Sequence, residues 1–403
     1  MNHRFFLCLC IILCFSCGAC TKSVGKTTLI PPERPTATPK TITIESSILD
    51  SMPSLWKVNT QRVNSQASLH SIFFLDENNG WVAGDGVLFE TKDGGRAWKS
   101  IKLDAPGPAE ITDIYFVNPS TGWVVLQKIG SDEVSNQNEQ LWLMHTSDGG
   151  QSWSLQYEEK GVLAKRVSFA DDQNGWLIGI KYLGLSPLRF NYMLLHTSDK
   201  GQHWSDFSEQ LNHIAANGEG NVNSWVSGFL TEGALTVVVT TNRGKIFKTI
   251  DGGRTWQLAG LIQDERESAY ISRVGFKDDS GFWVSGGAYN VHGVWGMIAK
   301  QQEDSSWIKY KLKDVYFKDV FLLSDRQLLA CGSMPAQRDK WMESGRKGII
   351  LYSSDGGRSW SIVYSNPNVG TINALARVDS QSILAVGENG LILRFDLLAS
   401  SEF

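Results

Sequence analysis

Five aspartates recur in one octet, Ser/Thr-x-Asp-x-Gly-x-x-Trp: Asp93 with Trp98, Asp148 with Trp153, Asp199 with Trp204, Asp251 with Trp256, and Asp355 with Trp360. Carboxylates at fixed spacing could ligate calcium or act as general acids. Their separations of 55, 51, 52 and 104 residues put them instead at equivalent turns of successive units, where they cannot converge on one substrate. No dense carboxylate loop follows any of them, as a calcium site would require. Their expected role is structural. Gly tolerates the positive φ of a tight turn, Asp accepts backbone N–H bonds inside it, and Trp packs beneath it. His145 and His196 each precede Thr-Ser-Asp and are repeat positions, expected as half-exposed strand residues rather than ligands. His-Glu-x-x-His and Gly-x-Ser-x-Gly are both absent. Gly25-Lys26-Thr27-Thr28 mimics the end of a phosphate loop, but the earlier Gly it needs falls on Cys20 and no strand precedes it. Cys331 follows Leu328-Leu329-Ala330 and reads as a buried, inert thiol. No catalytic residue, metal or cofactor is expected, although glycosidases can build sites from scattered acids.

The elements that carry these octets follow from the runs upstream of them. Ile72-Phe73-Phe74 leads to Gly80-Trp81-Val82-Ala83-Gly84, Ile114-Tyr115-Phe116 to Gly122-Trp123, and Val167-Ser168-Phe169 to Gly175-Trp176. Each period therefore reads strand A, turn, strand B, loop, strand C, Asp-containing turn, strand D. A four-stranded antiparallel unit of this length is a propeller blade. The expected fold is all-β, a seven-bladed β-propeller. Its blades span about 69–101, 111–157, 165–207, 221–258, 271–311, 317–364 and 371–397. The fifth repeat is degenerate: Gln302 to Trp307 keeps the Trp and loses the turn. The seventh lacks strand D. Leu55-Trp56-Lys57-Val58 is an orphan strand D, so residues 55–61 are expected to close a domain of residues 55–398.

The chain has 403 residues, 42% hydrophobic and 20% charged, with a net charge of −4. That composition supports a folded body and argues against a nucleic-acid partner, which would call for a basic excess. Five of six cysteines lie in the first 20 residues, so no disulfide can form within the body. Phe5 to Phe15 is an apolar run of signal-peptide length, too short to span a bilayer. Gly18-Ala19-Cys20 then resembles the lipobox of bacterial lipoproteins, with Cys17 departing from the usual Leu. Residues 1–19 are expected as a lipoprotein signal peptide, Cys20 as the lipidated residue, and Pro/Thr-rich residues 20–54 as a flexible tether.

The octet is the Asp-box, or BNR repeat, of sialidases and many secreted propellers. Joined to the upstream Gly-Trp pattern, it resembles the photosystem II stability/assembly factor family, seven-bladed propellers whose bacterial members often carry a lipoprotein signal. The resemblance implies a non-enzymatic, monomeric, lipid-anchored protein. It would be exported to the periplasmic or outer face of a bacterial membrane and bind protein partners, such as a membrane complex, as an assembly or scaffold factor. The alternative is a carbohydrate-binding or sialidase-like surface protein, but the Arg-Ile-Pro signature of that class is absent. Successive turns of a meander alternate between its two ends, so the B–C loops lie opposite the Asp-boxes. They are long in the second, third and sixth repeats and carry interface-type residues. Candidate partner contacts are Tyr182, Arg189, Phe190 and Tyr192 in the third repeat, Tyr289, His292 and Trp295 in the fifth, and Arg338 and Trp341 in the sixth. The N-terminal reading predicts that Cys20→Ala moves the protein from the membrane fraction to the soluble exported fraction. Unchanged retention, with no acyl mass on the native N-terminus, would refute it.

Overall fold

The structure is a computed structural model. It describes residues 41–49, 56–63, 66–128, 139–185, 188–216, 226–241, 243–262, 268–278, 281–290, 293–335 and 345–398, all within one compact unit, Thr38–Phe403. β1 (Thr41–Leu49) and β2 (Trp56–Arg62) precede the repeats. The first repeat forms β3 (Leu69–Phe74), β4 (Gly80–Gly84), β5 (Leu88–Thr91) and β6 (Lys99–Ile101). The second forms β7 (Ala109–Phe116), β8 (Gly122–Lys128), β9 (Gln140–Thr146) and β10 (Ser154–Lys160). The third forms β11 (Val162–Phe169), β12 (Gly175–Leu185), β13 (Leu188–Thr197), a two-residue β14 (Ser205–Asp206) and a helix, α1 (Ser208–Ala215). The fourth is β15 (Val226–Glu232), β16 (Thr236–Thr241), β17 (Lys245–Thr249) and β18 (Gln257–Leu261). The fifth is β19 (Ser268–Asp278), β20 (Gly281–Asn290), β21 (Gly293–Gln301) and β22 (Trp307–Lys313). The sixth is β23 (Tyr316–Leu322), β24 (Leu328–Pro335), β25 (Arg346–Ser353) and β26 (Ser359–Asn366). The last is β27 (Ile372–Arg377), β28 (Ser382–Gly387) and β29 (Leu391–Leu397).

Each repeat is an antiparallel meander, and the molecule is an all-β propeller of four-stranded blades. The last sheet has the order β2-β29-β28-β27, with Trp56 opposite Leu397 and Arg62 opposite Leu391. The first strands neighbour one another in a closed circuit: β3, β7, β11, β15, β19, β23, β27 and back to β3. They therefore line the axis.

The first, second and third sheets are joined by aromatic stacks. A Cβ on Gly122 would fall 2.4 Å from the Phe116 ring, so glycine lets that ring lie flat on its own sheet. Trp81 of the preceding sheet covers the other face of Phe116, with centroids 3.7 Å apart and planes within 5°. Trp123 stacks on Phe169 in the same way, at 3.6 Å, and Phe169 lies over Gly175. Such stacks contribute about 0.5–1.5 kcal/mol beyond area burial.

Four features differ from the sequence expectation. Residues 41–49 fall in the segment expected as tether, yet form β1, which runs parallel to β22 over Thr41–Ser46 and to β26 over Ser47–Leu49. It joins those two meanders into one nine-stranded sheet. Its half-buried Ile44 and Ile48 explain the placement, since they pack on the core between the two meanders. The fourth strand of the third repeat shrinks to two residues because Leu211 and Ala215 of α1 fill the adjoining core instead. The B–C connections of the third and fifth repeats are extensions of β12–β13 and β20–β21, paired as far as Leu185↔Leu188 and Asn290↔Gly293. The degenerate octet keeps a turn: the Gln302 carbonyl accepts from Ser305 N–H at 2.9 Å, and Ser305 takes φ +63°, as Lys200 takes +64° in the third copy.

Truncation tests the role of the two N-terminal strands. Deletion through Leu49 exposes the outer edges of β22 and β26 and should lower the melting temperature. Deletion through Arg62 should lower it much further, because Trp56 is buried against Tyr352, and burial of such a side chain is worth about 1.5–3 kcal/mol. Equal melting temperatures for the two truncations would contradict a closing role for β2.

Candidate functional site

The Asp-box end of the propeller is built from backbone. Thr91 Oγ1 donates to Asp93 Oδ1 and accepts from Gly95 N–H, both at 2.8 Å. The same carboxylate oxygen accepts from Arg96 and Ala97 N–H at 2.9 Å. Gly94 and Gly95 sit at φ +71° and +83°. The hydroxyl-to-carboxylate bond recurs at Asp148, Asp199, Asp251 and Asp355. Each turn is also tied to the A–B turn of its own sheet, as Gly94 N–H to Asn78 O at 3.0 Å and Gly149 N–H to Ser120 O at 2.8 Å. The five carboxylates are thus occupied within their hairpins. Hydrogen bonds from the Ser152 hydroxyl and amide and from Thr146 hold Asp148 down at about 2. The amide and ring of His203, with Thr197, do the same for Asp199. Trp153 and Trp360 donate Nε1–H to Gly150 O and Gly357 O at 3.2 and 3.1 Å, packing against the turns.

His145 and His196 are half-buried beside Trp123 and Trp176, with ring centroids 5.1 and 4.4 Å apart, and burial lowers the pKa of both. Cys331 is fully buried, and burial pushes its thiol well above the usual range.

The candidate partner contacts separate into groups. Phe190 and Tyr192 are corrected: they are 3% and 1% exposed. Because their loop is a strand, alternate residues turn inward, and both pack with α1 in the core shared with the fourth repeat. Tyr182 and Trp295 are half-buried, and Lys311 Nζ lies 4.8 Å over the Trp295 ring. Arg189 is placed on β13 and Tyr289 on β20. Cys20, His292, Arg338 and Trp341 lie outside the described residues. Leu183, on the same hairpin as Tyr182, is 46% exposed, an aliphatic position that aromatic and cationic residue types alone do not mark.

A second feature missed from sequence lies on the axis. Every first strand carries a bulge at the same place. The register slips from Leu69 to Ser71, Ile111 to Asp113, Ala164 to Arg166 and Val226 to Gly228. It slips again from Ile271 to Arg273, Phe317 to Asp319 and Ile372 to Ala374. The extra residues are His70, Thr112, Lys165 and Ser227, then Ser272, Lys318 and Asn373, and all of them line one cavity of about 410 Å³. They sit near the strand starts, so the cavity opens at the end away from the Asp-boxes. The second glycine of the Gly-Trp-x-x-Gly motif lies opposite the bulge. A Cβ on Gly84 would fall 1.7 Å from Ser68 O, and one on Gly332 would fall 1.9 Å from Tyr316 O.

Next to the bulge residues, two acids bind across sheets. Asp113 accepts from Val167 N–H at 3.0 Å and pairs with Arg166 at 2.9 Å. Asp319 accepts from Leu375 N–H at 2.9 Å and lies 3.3 Å from Arg273. Burial raises the pKa of Asp113 against the pull of Arg166. At the rim, His70 Nε2 lies 2.7 Å from Asp85 and 3.5 Å from Glu110. These three are the metal-ligand types that come together among the described residues, their ligand atoms within 4.8 Å of one another.

Fold and site define a propeller that carries Asp-box hairpins at one end and opens a polar axial cavity at the other. Within that class the chain is similar to the photosystem II assembly factors. The family described as "Photosynthesis system II assembly factor YCF48" matches residues 50–154. The photosystem II assembly lipoprotein Ycf48 of Synechococcus sp. (strain CC9902) is 26% identical over 326 residues, 74% of this chain and 88% of that protein. The solved structure of YCF48 bound to D1 peptide superposes with a TM-score of 0.60 at 19% identity, covering 88% of this chain and all of that one. A GH74 xyloglucanase from Xanthomonas campestris reaches 0.57 at 13% identity over 53% of its own length, a likeness of fold alone.

The turn geometry predicts an acid-range effect. Asp148 is depressed from 3.8 to about 2, so its contribution is complete above about pH 4 and is lost as pH falls toward 2. Asp148→Asn should melt below the parent at pH 7, and the gap should close between about pH 4 and 2. A gap that stays constant down to pH 2 would assign the loss to something other than the carboxylate charge.

Proposed function

We propose that this chain is a membrane-tethered, non-enzymatic assembly factor that holds a photosystem II protein during its assembly. The observation that carries the reading is similarity along 74% of the chain to a protein named as a photosystem II assembly lipoprotein. The same resemblance favours diacylation at Cys20, residues 1–19 as signal peptide, and residence on the periplasmic or outer face of the membrane as a monomer. Among the described residues no helix is long and apolar enough to cross a membrane, in keeping with anchorage by acyl chains. The ring is read as seven-bladed: five sheets stand alone, and the nine-stranded sheet divides at β1 into two further meanders. β2 supplies the missing strand of the last blade.

The partner is proposed to bind the end opposite the Asp-boxes, where the paired strands β12–β13 and β20–β21 extend. Tyr182, Arg189, Tyr289, His292, Trp295, Arg338 and Trp341 are the proposed contacts, joined by Leu183. A peptide of D1, the ligand in the solved YCF48 complex, is the direct probe. Saturable binding by the purified chain is expected. Joint replacement of Leu183 and Trp295 by Ala should weaken it about tenfold, the scale of a modest interface hot spot, with the melting temperature preserved. No saturable binding at millimolar peptide would overturn the reading. Undiminished binding by the double variant would move the partner to another surface.

A further inference from the structure

The axial cavity invites a ligand of its own. Its acids are already engaged. Asp85 and Glu110 face His70, Asp113 pairs with Arg166, and Asp319 lies against Arg273. Glu139, whose field reaches Lys165 from β9's edge, accepts from the Gln127 amide. The two bulge lysines differ. Among the described residues neither Lys165 nor Lys318 forms an ion pair, although Lys318 Nζ lies 5.6 Å over the Tyr316 ring. Both are half-buried, and burial lowers the pKa of each. Glu110 and Glu139 act on Lys165 from a distance and Glu388 on Lys318, each favouring the charged form, while Arg166 and Arg346 oppose it. A half-buried ammonium with no counter-ion among the described residues carries a desolvation cost. Two of them on one cavity wall make a site that an anion would stabilise.

Their placement restricts the anion. Lys165 is on β11 and Lys318 on β23, with β15 and β19 between them in the circuit of first strands. The cationic groups therefore approach from separate parts of the wall, with the short side chains of Ser227 and Ser272 between them in the circuit. Asn373 and Thr112 turn their donors to Leu69 O and Val125 O, which leaves the two charges and the Ser227 hydroxyl, buried without a hydrogen-bond partner among the described residues, as the recognising features.

We infer that the mouth of the axial channel binds a small dianion, a dicarboxylate or a phosphate, between Lys165 and Lys318. The site is separate from the hairpin contacts proposed for the protein partner, and it stands or falls independently of them. The test is calorimetric titration of the full chain with succinate, inorganic phosphate and, as a monoanion control, acetate. Saturable binding of succinate or phosphate is expected, at least tenfold tighter than acetate; whichever binds identifies the anion class. Lys165→Gln and Lys318→Gln should each weaken it at least tenfold. Lys165→Arg and Lys318→Arg keep the charge and should retain it, which separates loss of the cation from loss of the fold. Absence of saturable binding by the parent, affinity equal to that of acetate, or full affinity in both Gln variants would overturn the inference.

Discussion

A four-stranded sheet cannot bury both of its faces alone, so this fold depends on how one sheet is fastened to the next. The fastening is most explicit where Trp81 lies flat on Phe116 and Trp123 lies flat on Phe169. The geometry has three participants. The phenylalanine ring needs a glycine beneath it, because any Cβ on Gly122 or Gly175 would enter the ring at 2.4 Å. The tryptophan next to that glycine then points to the following sheet. Glycine and tryptophan are therefore adjacent in sequence because one closes the contact backward and the other opens the contact forward. Hydrogen bonds reinforce the joint from the axis, where Asp113 and Asp319 each reach a backbone N–H of the next sheet.

The repeat was legible because its signals are local. The octet fixes a turn through Thr91, Asp93, Gly94 and Gly95, and each partner lies within a few residues of the others. β1 was not legible, because its partners Trp307 and Trp360 are far away in the chain and its pairing is parallel. Its Pro-rich flanks pointed to a tether, while its alternating Ile42, Ile44 and Ile48 carried the strand signal. Phe190 and Tyr192 failed for a related reason. A long connection was read as loop, where aromatics mark an interface. It is a strand, where alternation sends every second residue into the core.

The bulges were legible in principle. Each first strand begins with an apolar residue, then two residues that interrupt the period of two, then another apolar residue: Ile111-Thr112-Asp113-Ile114, Ala164-Lys165-Arg166-Val167, Phe317-Lys318-Asp319-Val320. An extra residue restores the phase of the core positions, as a bulge requires. The paired glycine opposite it, Gly84 or Gly332, is the second half of the signal, since the bulged strand brings a carbonyl within reach of any Cβ there. Taken singly, each four-residue run is ambiguous. Taken at the same phase of every repeat, they define one layer of side chains around the axis.

The two ends of the propeller consequently face different constraints. At the Asp-box end, turn residues satisfy one another. Thr91, Asp93 and the following amides form a closed set, and Gly94 is bound in turn to the adjacent A–B turn. A substitution there removes a bond that nothing else supplies. At the opposite end the bulge fixes only the direction of a side chain, not its type. His, Thr, Lys, Ser and Asn all occupy that position. The hairpins above them differ in length by extending strands that are already paired. Chemistry can be changed at that end without changing the fold, and that freedom is why binding is assigned to it.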